Sequence, residues 1–317
     1  MNVLLADKVP DWFHERLKEL GCQVHLDPSL GGESLTQAIK DHNPKIMVVR
    51  STKVQREQLD AGELALVIRA GAGVNTIDIA YARERACGVA NCPGKNASAV
   101  AELAIGHLIN MDRRIADGVN DLRQGRWAKK AYAKSAGLRG STLGLMGMGN
   151  IGRETATIAL AMGMKVVMWD PFVDAETAKK IGVEKIEDKL ELAKSSDAVS
   201  IHVALVPPTV GLIDHEFCQA MKPGAYFINT SRAGIVVKEA LAAAIKDKGV
   251  RAGLDVFWDE PGASDKDFAD DIVKLDGVYG THHIGASTAQ AQDAVAKETL
   301  RVVETFLSSQ QIINCVN

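Results

Sequence analysis

The chain has 317 residues, a length that suits two domains of roughly 100–200 residues each. Hydrophobic residues make up 46% of the chain, enough to build buried cores, and charged residues make up 24% with a formal net charge of -3. Because binding to nucleic acid or to a membrane surface needs a basic excess, this charge balance argues against both kinds of partner and leaves a small-molecule substrate as the expected one.

The cysteines and the N-terminal segment bear on the compartment. The chain has 5 cysteines, an odd number, and no C-x-x-C pair, so we expect neither a disulfide framework nor a metal site. The segment MNVLLADKVPDWF lacks the basic stretch and apolar run of a signal peptide, and no stretch of 18 apolar residues occurs. We therefore expect a cytoplasmic protein without a membrane span.

In the first part of the chain, short β-branched runs alternate with amphipathic segments. We predict strands at residues 2–6, 23–26, 45–49 and 66–69, and helices at residues 12–20, 34–41 and 77–86. Runs bounded by Gly, Pro or polar residues in this way are typical of buried parallel strands. The alternation indicates a parallel sheet covered by helices on both faces.

A long Ala/Ile/Leu-rich helix is predicted at about residues 98–123, and the alternation then begins again. Strands are predicted at residues 142–146, 165–169, 198–201, 225–229 and 251–256, followed by a short strand in VYGT and a last helix at about 288–307. The sequence therefore predicts an α/β protein with two units. Because the last helix can return to the first unit, we expect a substrate-binding domain of residues 1–97 plus 288–317 and a nucleotide-binding domain of residues 98–287.

A glycine-rich turn follows the first strand of the second unit. The strand TLGLM leads into G-x-G-x-x-G, formed by Gly147, Gly149 and Gly152, and a helical run follows at once. In this setting Gly147 makes the tight turn, Gly149 lets the backbone approach a pyrophosphate, and Gly152 lets helix and strand pack closely. The free N–H groups at the helix N-terminus suit a pyrophosphate. The pattern predicts dinucleotide binding, although an ordinary glycine turn has the same letters.

The next strand ends at Asp170, 18 residues after Gly152. A carboxylate at this place can accept both ribose hydroxyls of NAD and would repel the 2′-phosphate of NADP, so we expect NAD as the cofactor. His202 also stands at a strand end, where it can contact the adenosine side of the cofactor or be a packed histidine.

Three polar residues follow late strands of the second unit: Arg232, Glu260 and His283. In open α/β sheets ligands bind beyond the carboxyl ends of the strands, so the three can converge on one crevice. An imidazole suits removal of a hydroxyl proton while a hydride leaves the same carbon, a carboxylate orients the imidazole, and a guanidinium binds a substrate carboxylate. Each residue alone can be an ordinary surface or strand-end residue; together, after a dinucleotide turn, they favour a catalytic set.

With these motifs the sequence resembles the D-isomer-specific 2-hydroxyacid dehydrogenases, and within them the D-3-phosphoglycerate dehydrogenases. The resemblance covers nearly the whole chain and rests on LGLMGMGNIGRE, NTSRAGIVV, LDVFWDEP, HHIGAST, VVRSTKV, IRAGAGVNTID, NASAVAE and GRWAKKAY. It implies two Rossmann/flavodoxin-like doubly wound domains with an interdomain cleft, and a homodimer formed through the nucleotide domain. It also implies NAD-dependent oxidation of D-3-phosphoglycerate. A hydroxypyruvate or glyoxylate reductase, or an NAD-sensing corepressor-like binding protein, is the alternative.

The resemblance also assigns residues. Arg232, Glu260 and His283 match the catalytic arginine, glutamate and histidine. The backbone N–H groups of Ala72, Gly73 and Val74 would receive the substrate carboxylate, and Asp255 would face the nicotinamide amide. The other positions expected to contact the cofactor, besides those of the glycine turn, are Asn150, Ile151, Asp170, His202, Thr230, Ser231, Gly285 and Ala286.

The sequence departs from the family pattern at three positions. Ala233 and Ala204 stand where the family usually has glycine and proline, and His282 stands where proline precedes the catalytic histidine. Two adjacent histidines therefore compete for the role of base, and the H-I-G-A pattern favours His283. Because the family often carries a C-terminal regulatory domain and this sequence ends after the segment IINCV, we expect no inhibition by free serine.

Cations at the ends of first-unit strands suggest a substrate phosphate. Arg50, Lys53 and Arg69, with Ser51 between the first two, lie at or just after strand ends. They can form a phosphate site or be solvated strand-end charges. The segment 127–130 after the long helix can be an arm against a partner subunit or a surface loop.

Overall fold

The computed structural model describes residues 1–261 and 267–317, and its chain divides into two units. Unit 1 comprises Met1–Asn96 and Ser287–Asn317, and unit 2 comprises Ala97–Ala286. The strands in chain order are β1 (Asn2–Leu5), β2 (Gln23–Leu26), β3 (Ile46–Val49), β4 (Leu66–Arg69), β5 (Gly88–Ala90), β6 (Thr142–Met146), β7 (Lys165–Trp169), β8 (Glu184–Lys185), β9 (Ala198–Ile201), β10 (Tyr226–Asn229), β11 (Arg251–Leu254) and β12 (Val278–Gly280).

The α-helices alternate with these strands along the chain. They are α1 (Asp11–Glu19), α2 (Gly32–His42), α3 (Arg56–Asp60), α4 (Ile79–Glu84), α5 (Ala97–Arg113), α6 (Ile115–Arg123), α7 (Lys129–Tyr132), α8 (Asn150–Ala161), α9 (Ala175–Lys180), α10 (Lys189–Ser195), α11 (His215–Ala220), α12 (Lys238–Lys248) and α13 (Ala289–Ser309). In the part of the chain that the structure describes, no helix combines the length and the apolar composition needed to cross a membrane.

Unit 1 contains a parallel sheet with the strand order β2-β1-β3-β4-β5. The strands are short and almost wholly apolar, as expected where helices cover both faces. Phe13, Leu17 and Phe306 pack on one face, and Leu35 and Ile39 pack on the other. The strand order reverses direction between β1 and β3, and in such sheets this switch point is where ligands bind.

Unit 2 contains a second parallel sheet with the order β12-β11-β10-β9-β6-β7-β8. Phe217, Phe227 and Leu241 belong to the core on one face, and Leu108 and Leu143 belong to the core on the other. The order reverses between β6 and β9, so the glycine turn after β6 lies at the switch point. The predicted fold class of two doubly wound parallel sheets is confirmed.

The single long helix predicted at residues 98–123 is wrong. Two helices, α5 and α6, occupy this segment, and Arg114 between them is in the left-handed conformation with a φ of 53°. No proline or glycine marks the break. Instead, the side-chain oxygen of Asn110 accepts the N–H of Ala116 at 2.9 Å, and Asp117 accepts Nε of Arg114 at 2.9 Å. These polar contacts offset the strain of a left-handed arginine. The short edge strands β5 and β8 were not predicted either.

Candidate active site

The glycine turn has the backbone geometry that its three glycines permit. Gly147 has a φ of 98°, and a Cβ there would lie 2.9 Å from backbone atoms that follow β9. A Cβ on Gly152 would overlap the carbonyl oxygen of Gly147, so close packing of turn and helix requires glycine. A Cβ on Gly149 would meet no atom of residues 1–261 or 267–317 within 4 Å. The structure thus leaves open space at the one glycine that a pyrophosphate would approach.

Asp170 lies beside this turn because β6 and β7 are paired, with Met146 at the end of β6 opposite Trp169 at the end of β7. One oxygen of its carboxylate accepts the N–H of Met148 at 2.8 Å, and the other accepts the N–H of Phe172 at 2.8 Å. Asn150 and Ile151 are the first residues of α8, and the N–H groups in the first turn of a helix have no acceptor within the helix. The donors and the carboxylate fit the pyrophosphate and a ribose of a dinucleotide, respectively.

The turn after β10 holds a polar atom without a partner. Thr230 is 7% exposed, and its Oγ1 is buried with no hydrogen-bond partner among the described residues. Buried Asn229 holds the turn by accepting the N–H of Ser231 at 3.0 Å and donating to the carbonyl of Arg232 at 3.0 Å. Because buried polar groups are almost always satisfied, the Thr230 hydroxyl fits a bound cofactor as its partner.

The three candidate catalytic residues follow three neighbouring strands: Arg232 follows β10, Glu260 follows β11 and His283 follows β12. Oε2 of Glu260 lies 2.8 Å from Nδ1 of His283, and Oε1 accepts the N–H of Phe257 at 2.9 Å. His283 has a φ of 53° and a half-exposed side chain. Adjacent His282 is exposed. The carboxylate on Nδ1 places the ring's N–H there, which leaves Nε2 as the basic nitrogen.

The charges of this set influence one another. Burial lowers the pKa of Arg232, and the charge of Glu260 partly restores it. For Glu260, burial alone would raise the pKa, but the hydrogen bonds from His283 and from the N–H of Phe257 outweigh burial, and the pKa is lowered. At neutral pH Glu260 is therefore an anion, able to support a positive charge on His283.

Asp255 is buried and accepts hydrogen bonds from the loop that follows β12. It is 1% exposed; one oxygen accepts the Thr281 hydroxyl at 2.6 Å and the N–H of Ile284 at 2.9 Å, and the other accepts the N–H of Gly285 at 2.8 Å. Asp255 thus holds the loop that carries His283. Ala286, the last residue of unit 2, is half-buried after this loop. A role of Asp255 toward nicotinamide stays a prediction.

His202 lies directly after β9, beside the glycine turn. Its Nε2 is 2.9 Å from Oγ of Ser200, and Oγ of Ser231 donates to the neighbouring carbonyl of Val203 at 2.5 Å. Burial lowers the pKa of His202 to about 4, although part of the residue stays accessible, so the ring is neutral at physiological pH. These contacts fit a packed histidine, and a cofactor contact through its exposed edge stays a prediction.

In unit 1, a carboxylate that the sequence analysis missed organises the loop after β3. Asp7 follows β1, and its Oδ2 accepts the N–H groups of Arg50, Ser51 and Thr52 at 2.6, 3.2 and 3.2 Å. Its Oδ1 accepts the hydroxyl of Ser51 at 2.9 Å. Asp7 and Arg50 thus meet at the switch point of the sheet. The sequence contained a signal for this role, because Asp7 is an acidic residue directly after the first predicted strand.

The loop after β4 runs beside the loop after β3, because Val49 pairs with Arg69 and the N–H of Ala70 donates to the carbonyl of Val49 at 2.7 Å. The guanidinium of Arg69 occupies the place where a side chain on Gly71 would stand. The carbonyl of Ala72 accepts Nδ2 of Asn91 at 2.6 Å. Arg50 and Ser51 therefore lie on one of two neighbouring loops of unit 1, and Ala72, Gly73 and Val74 lie on the other, just after Arg69. Lys53 is exposed near the same loops.

The chain is similar in sequence to proteins of known families. The family model of the D-isomer specific 2-hydroxyacid dehydrogenase NAD-binding domain matches residues 105–285. The chain is 36% identical, over all of its length, to a D-3-phosphoglycerate dehydrogenase of Methanocaldococcus jannaschii, and it spans 59% of that relative's length. It is 42% identical to a hydroxypyruvate reductase of Thermotoga maritima over 81% of this chain and 83% of that relative.

A solved structure shares the fold over both chains. The NAD+-bound 3-phosphoglycerate dehydrogenase of Entamoeba histolytica matches all of this chain and 98% of its own with a TM-score of 0.82 and 25% identity. The family model alone covers more than half of this chain. The chain therefore belongs to the D-isomer-specific 2-hydroxyacid dehydrogenase family, and unit 2 contains that family's NAD-binding domain.

Proposed function

We propose that the protein is an NAD-dependent dehydrogenase that interconverts a D-2-hydroxy acid and the corresponding 2-keto acid. The observation that carries this proposal is the Glu260–His283 pair, which follows two strands of the sheet whose switch point carries the glycine turn. An imidazole hydrogen-bonded to a carboxylate is well suited to general acid–base catalysis near neutral pH.

Each residue of the set has one task in the proposed reaction. Nε2 of His283 removes the proton of the C2 hydroxyl during oxidation and returns a proton to the carbonyl oxygen during reduction. Glu260 stabilises the imidazolium that results, and Arg232 binds the substrate carboxylate and polarises the C2 oxygen. Bound NAD supplies the hydride acceptor, held by the glycine turn, the N-terminus of α8, Asp170 and Thr230.

For the substrate, we propose D-3-phosphoglycerate, oxidised at C2 to 3-phosphohydroxypyruvate, with unit 1 as the substrate-binding domain. The neighbouring loops of unit 1 that carry Arg50, Arg69 and Lys53 support this choice, because a dianionic phosphate needs cationic donors. The full-length similarity to D-3-phosphoglycerate dehydrogenases supports it as well. The N–H groups of Ala72, Gly73 and Val74 are the proposed site of the substrate carboxylate.

A hydroxypyruvate reductase is the second candidate, because the relative of that name has the higher identity of the two, 42%. The experiment that separates the candidates is a panel of 2-hydroxy and 2-keto acids assayed with NAD(H) and NADP(H) in parallel. We expect the highest kcat/KM for D-3-phosphoglycerate with NAD. A higher kcat/KM for unphosphorylated hydroxypyruvate or glyoxylate would contradict the proposed substrate while leaving the proposed chemistry intact.

An NAD-sensing corepressor-like protein is a candidate of another class, since fold alone does not separate binding from catalysis. The intact Glu260–His283 pair favours an enzyme. Absorbance of the reduced nicotinamide during the same panel decides between them: turnover with any member identifies an enzyme, and saturable cofactor binding without turnover identifies a binding protein.

We also propose a homodimer formed through unit 2. The apolar residues Ile115, Val119 and Leu122 recur at helical spacing on α6, all are exposed, and Trp127 just beyond them is 81% exposed. A contiguous apolar stripe of this kind marks a protein–protein surface. Light scattering coupled to size exclusion should give a dimer for the unaltered chain and a monomer for Leu122→Asp. The control Val210→Asp changes another exposed apolar residue of unit 2 and should leave the dimer intact.

A further inference from the structure

His107 is a buried histidine that the proposed reaction does not use. It lies on α5, is 4% exposed, and its Nε2 is 3.1 Å from Oγ1 of Thr281. His107 packs against Gly253 of β11, where a Cβ would lie only 2.7 Å from Cβ of His107. Because Gly253 has no side chain, the imidazole has room to reach Thr281. Placing a polar ring in this core needs a compensating hydrogen bond.

The direction of each hydrogen bond follows from the donors available. Thr281 and Asp255 lie side by side because β11 and β12 pair in register through Leu254 and Gly280. A threonine hydroxyl has one hydrogen, and it is donated to the Asp255 carboxylate, 2.6 Å away. Oγ1 of Thr281 must therefore accept, and His107 must donate its Nε2–H. Burial lowers the pKa of His107, an effect that exceeds the opposing charge of Asp255, so the ring is a neutral donor.

The carboxylate at the end of this chain of hydrogen bonds holds the loop of the proposed base. Asp255 accepts the N–H groups of Ile284 and Gly285, the two residues directly after His283. His283 itself has a φ of 53°, which costs free energy for a residue other than glycine. The loop keeps this conformation because Asp255 satisfies its N–H groups, and Asp255 is oriented by Thr281.

We propose that His107 is a positioning residue, which through Thr281 and Asp255 holds the 281–285 loop in the conformation that presents His283 to Glu260. This inference rests on the proposed function for its effect on catalysis, whereas the loop conformation itself can be measured without turnover. Because networks of buried hydrogen bonds act as units, loss of the His107 donor should weaken the hold of Asp255 on the loop.

The kinetic test compares two replacements of His107. His107→Leu keeps the volume and removes the donor, and kcat should fall about 10-fold, the size expected for one lost buried hydrogen bond. His107→Gln places an amide N–H close to the position of Nε2 and should restore most of kcat. In the background of Thr281→Val, His107→Leu should cause no further loss, because the pathway to Asp255 is already broken. Equal losses for Leu and Gln, or additive losses in the double variant, would overturn the proposal.

The second test uses amide hydrogen exchange of Ile284 and Gly285, which does not depend on activity. Exchange should be about 10-fold faster in His107→Leu and near normal in His107→Gln. Leu108→Ala is the control, because Leu108 is buried on the same helix within the apolar core. Leu108→Ala should lower Tm without selectively faster exchange at these two amides. Selectively faster exchange in this control would refute the positioning role of His107. Absence of turnover in the unaltered protein would contradict the proposed function. The exchange measurement would still show whether His107 positions the 281–285 loop.

Discussion

Nδ1 of His283 lies 2.8 Å from Oε2 of Glu260, although the two residues are 23 positions apart and follow different strands. The pairing singles out one of the two adjacent histidines, since exposed His282 makes no such contact in the part of the chain that the structure describes. Whether this geometry supplies the catalytic base is decided by substitution.

His283→Asn should lower kcat by on the order of 10²–10⁴-fold, the range for loss of general acid–base catalysis. His282→Asn, its matched control, should change kcat by less than a few-fold. Steady-state rates at saturating substrate and cofactor measure both. An equal loss in the two variants would show that the Glu260 contact does not identify the base.

Glu260→Gln removes the anion that supports a positive imidazole while keeping a side chain of the same shape. The neutral amide favours the uncharged form of His283, so the limb of the pH–rate profile that reports this group should move to lower pH in either reaction direction. Activity at the optimum should fall less than in His283→Asn. A profile that keeps its position on the pH axis would contradict the role of Glu260.

Asp170→Ser should weaken discrimination between NAD and NADP, because it removes the carboxylate that would repel a 2′-phosphate. The ratio of kcat/KM values for the two cofactors measures the effect. Asp188→Ser is a suitable control, since Asp188 also accepts two backbone N–H groups at 2.8 and 2.9 Å but at the start of α10. If the unaltered protein uses both cofactors equally well, Asp170 does not select NAD.

Replacing two glycines of the turn by alanine should affect different properties, cofactor affinity in one case and stability in the other. Gly149→Ala should leave Tm nearly unchanged, because its Cβ meets no atom of the described residues within 4 Å. It should nevertheless raise the Kd for NAD by filling the space proposed for the pyrophosphate. Gly152→Ala should lower Tm, because its Cβ overlaps the Gly147 carbonyl oxygen. Thermal melts and cofactor titration by fluorescence measure the two effects. Unchanged NAD affinity in Gly149→Ala would place the pyrophosphate elsewhere.

Arg50→Ala should raise KM for D-3-phosphoglycerate and spare small unphosphorylated acids. A lost guanidinium–phosphate contact is worth about 10-fold or more in KM at a charge-assisted hydrogen bond. Arg16→Ala, at an exposed position on α1, is the control for the change in net charge of unit 1. Similar effects on both classes of acid would mean that Arg50 supports the loop rather than a phosphate.

Much of this site was predictable because its signals are local. The spacing of Gly147, Gly149 and Gly152 between a strand and a helix, and Asp170 at the next strand end, are short-range patterns that specify a turn and its neighbour. Arg232, Glu260 and His283 were found in the same way, since parallel strands bring their carboxyl ends to one edge. The prediction of a continuous helix through Arg114 was wrong because hydrophobic periodicity is the same on both sides of the break. The polar contacts of Asn110 and Asp117, which stabilise the break, leave no trace in that periodicity.

By itself, the sequence determined the alternation of strands and helices, the fold class, and which polar residues end up at strand ends. Only the tertiary structure decided that Asp7 holds the loop after β3, that the buried hydroxyl of Thr230 has no hydrogen-bond partner among the described residues, and that His107 contacts Thr281. The physical reason is separation along the chain. Asp7 and Arg50 are 43 residues apart, and His107 and Thr281 are 174 apart, so their contacts depend on strand order and register, which no local pattern encodes.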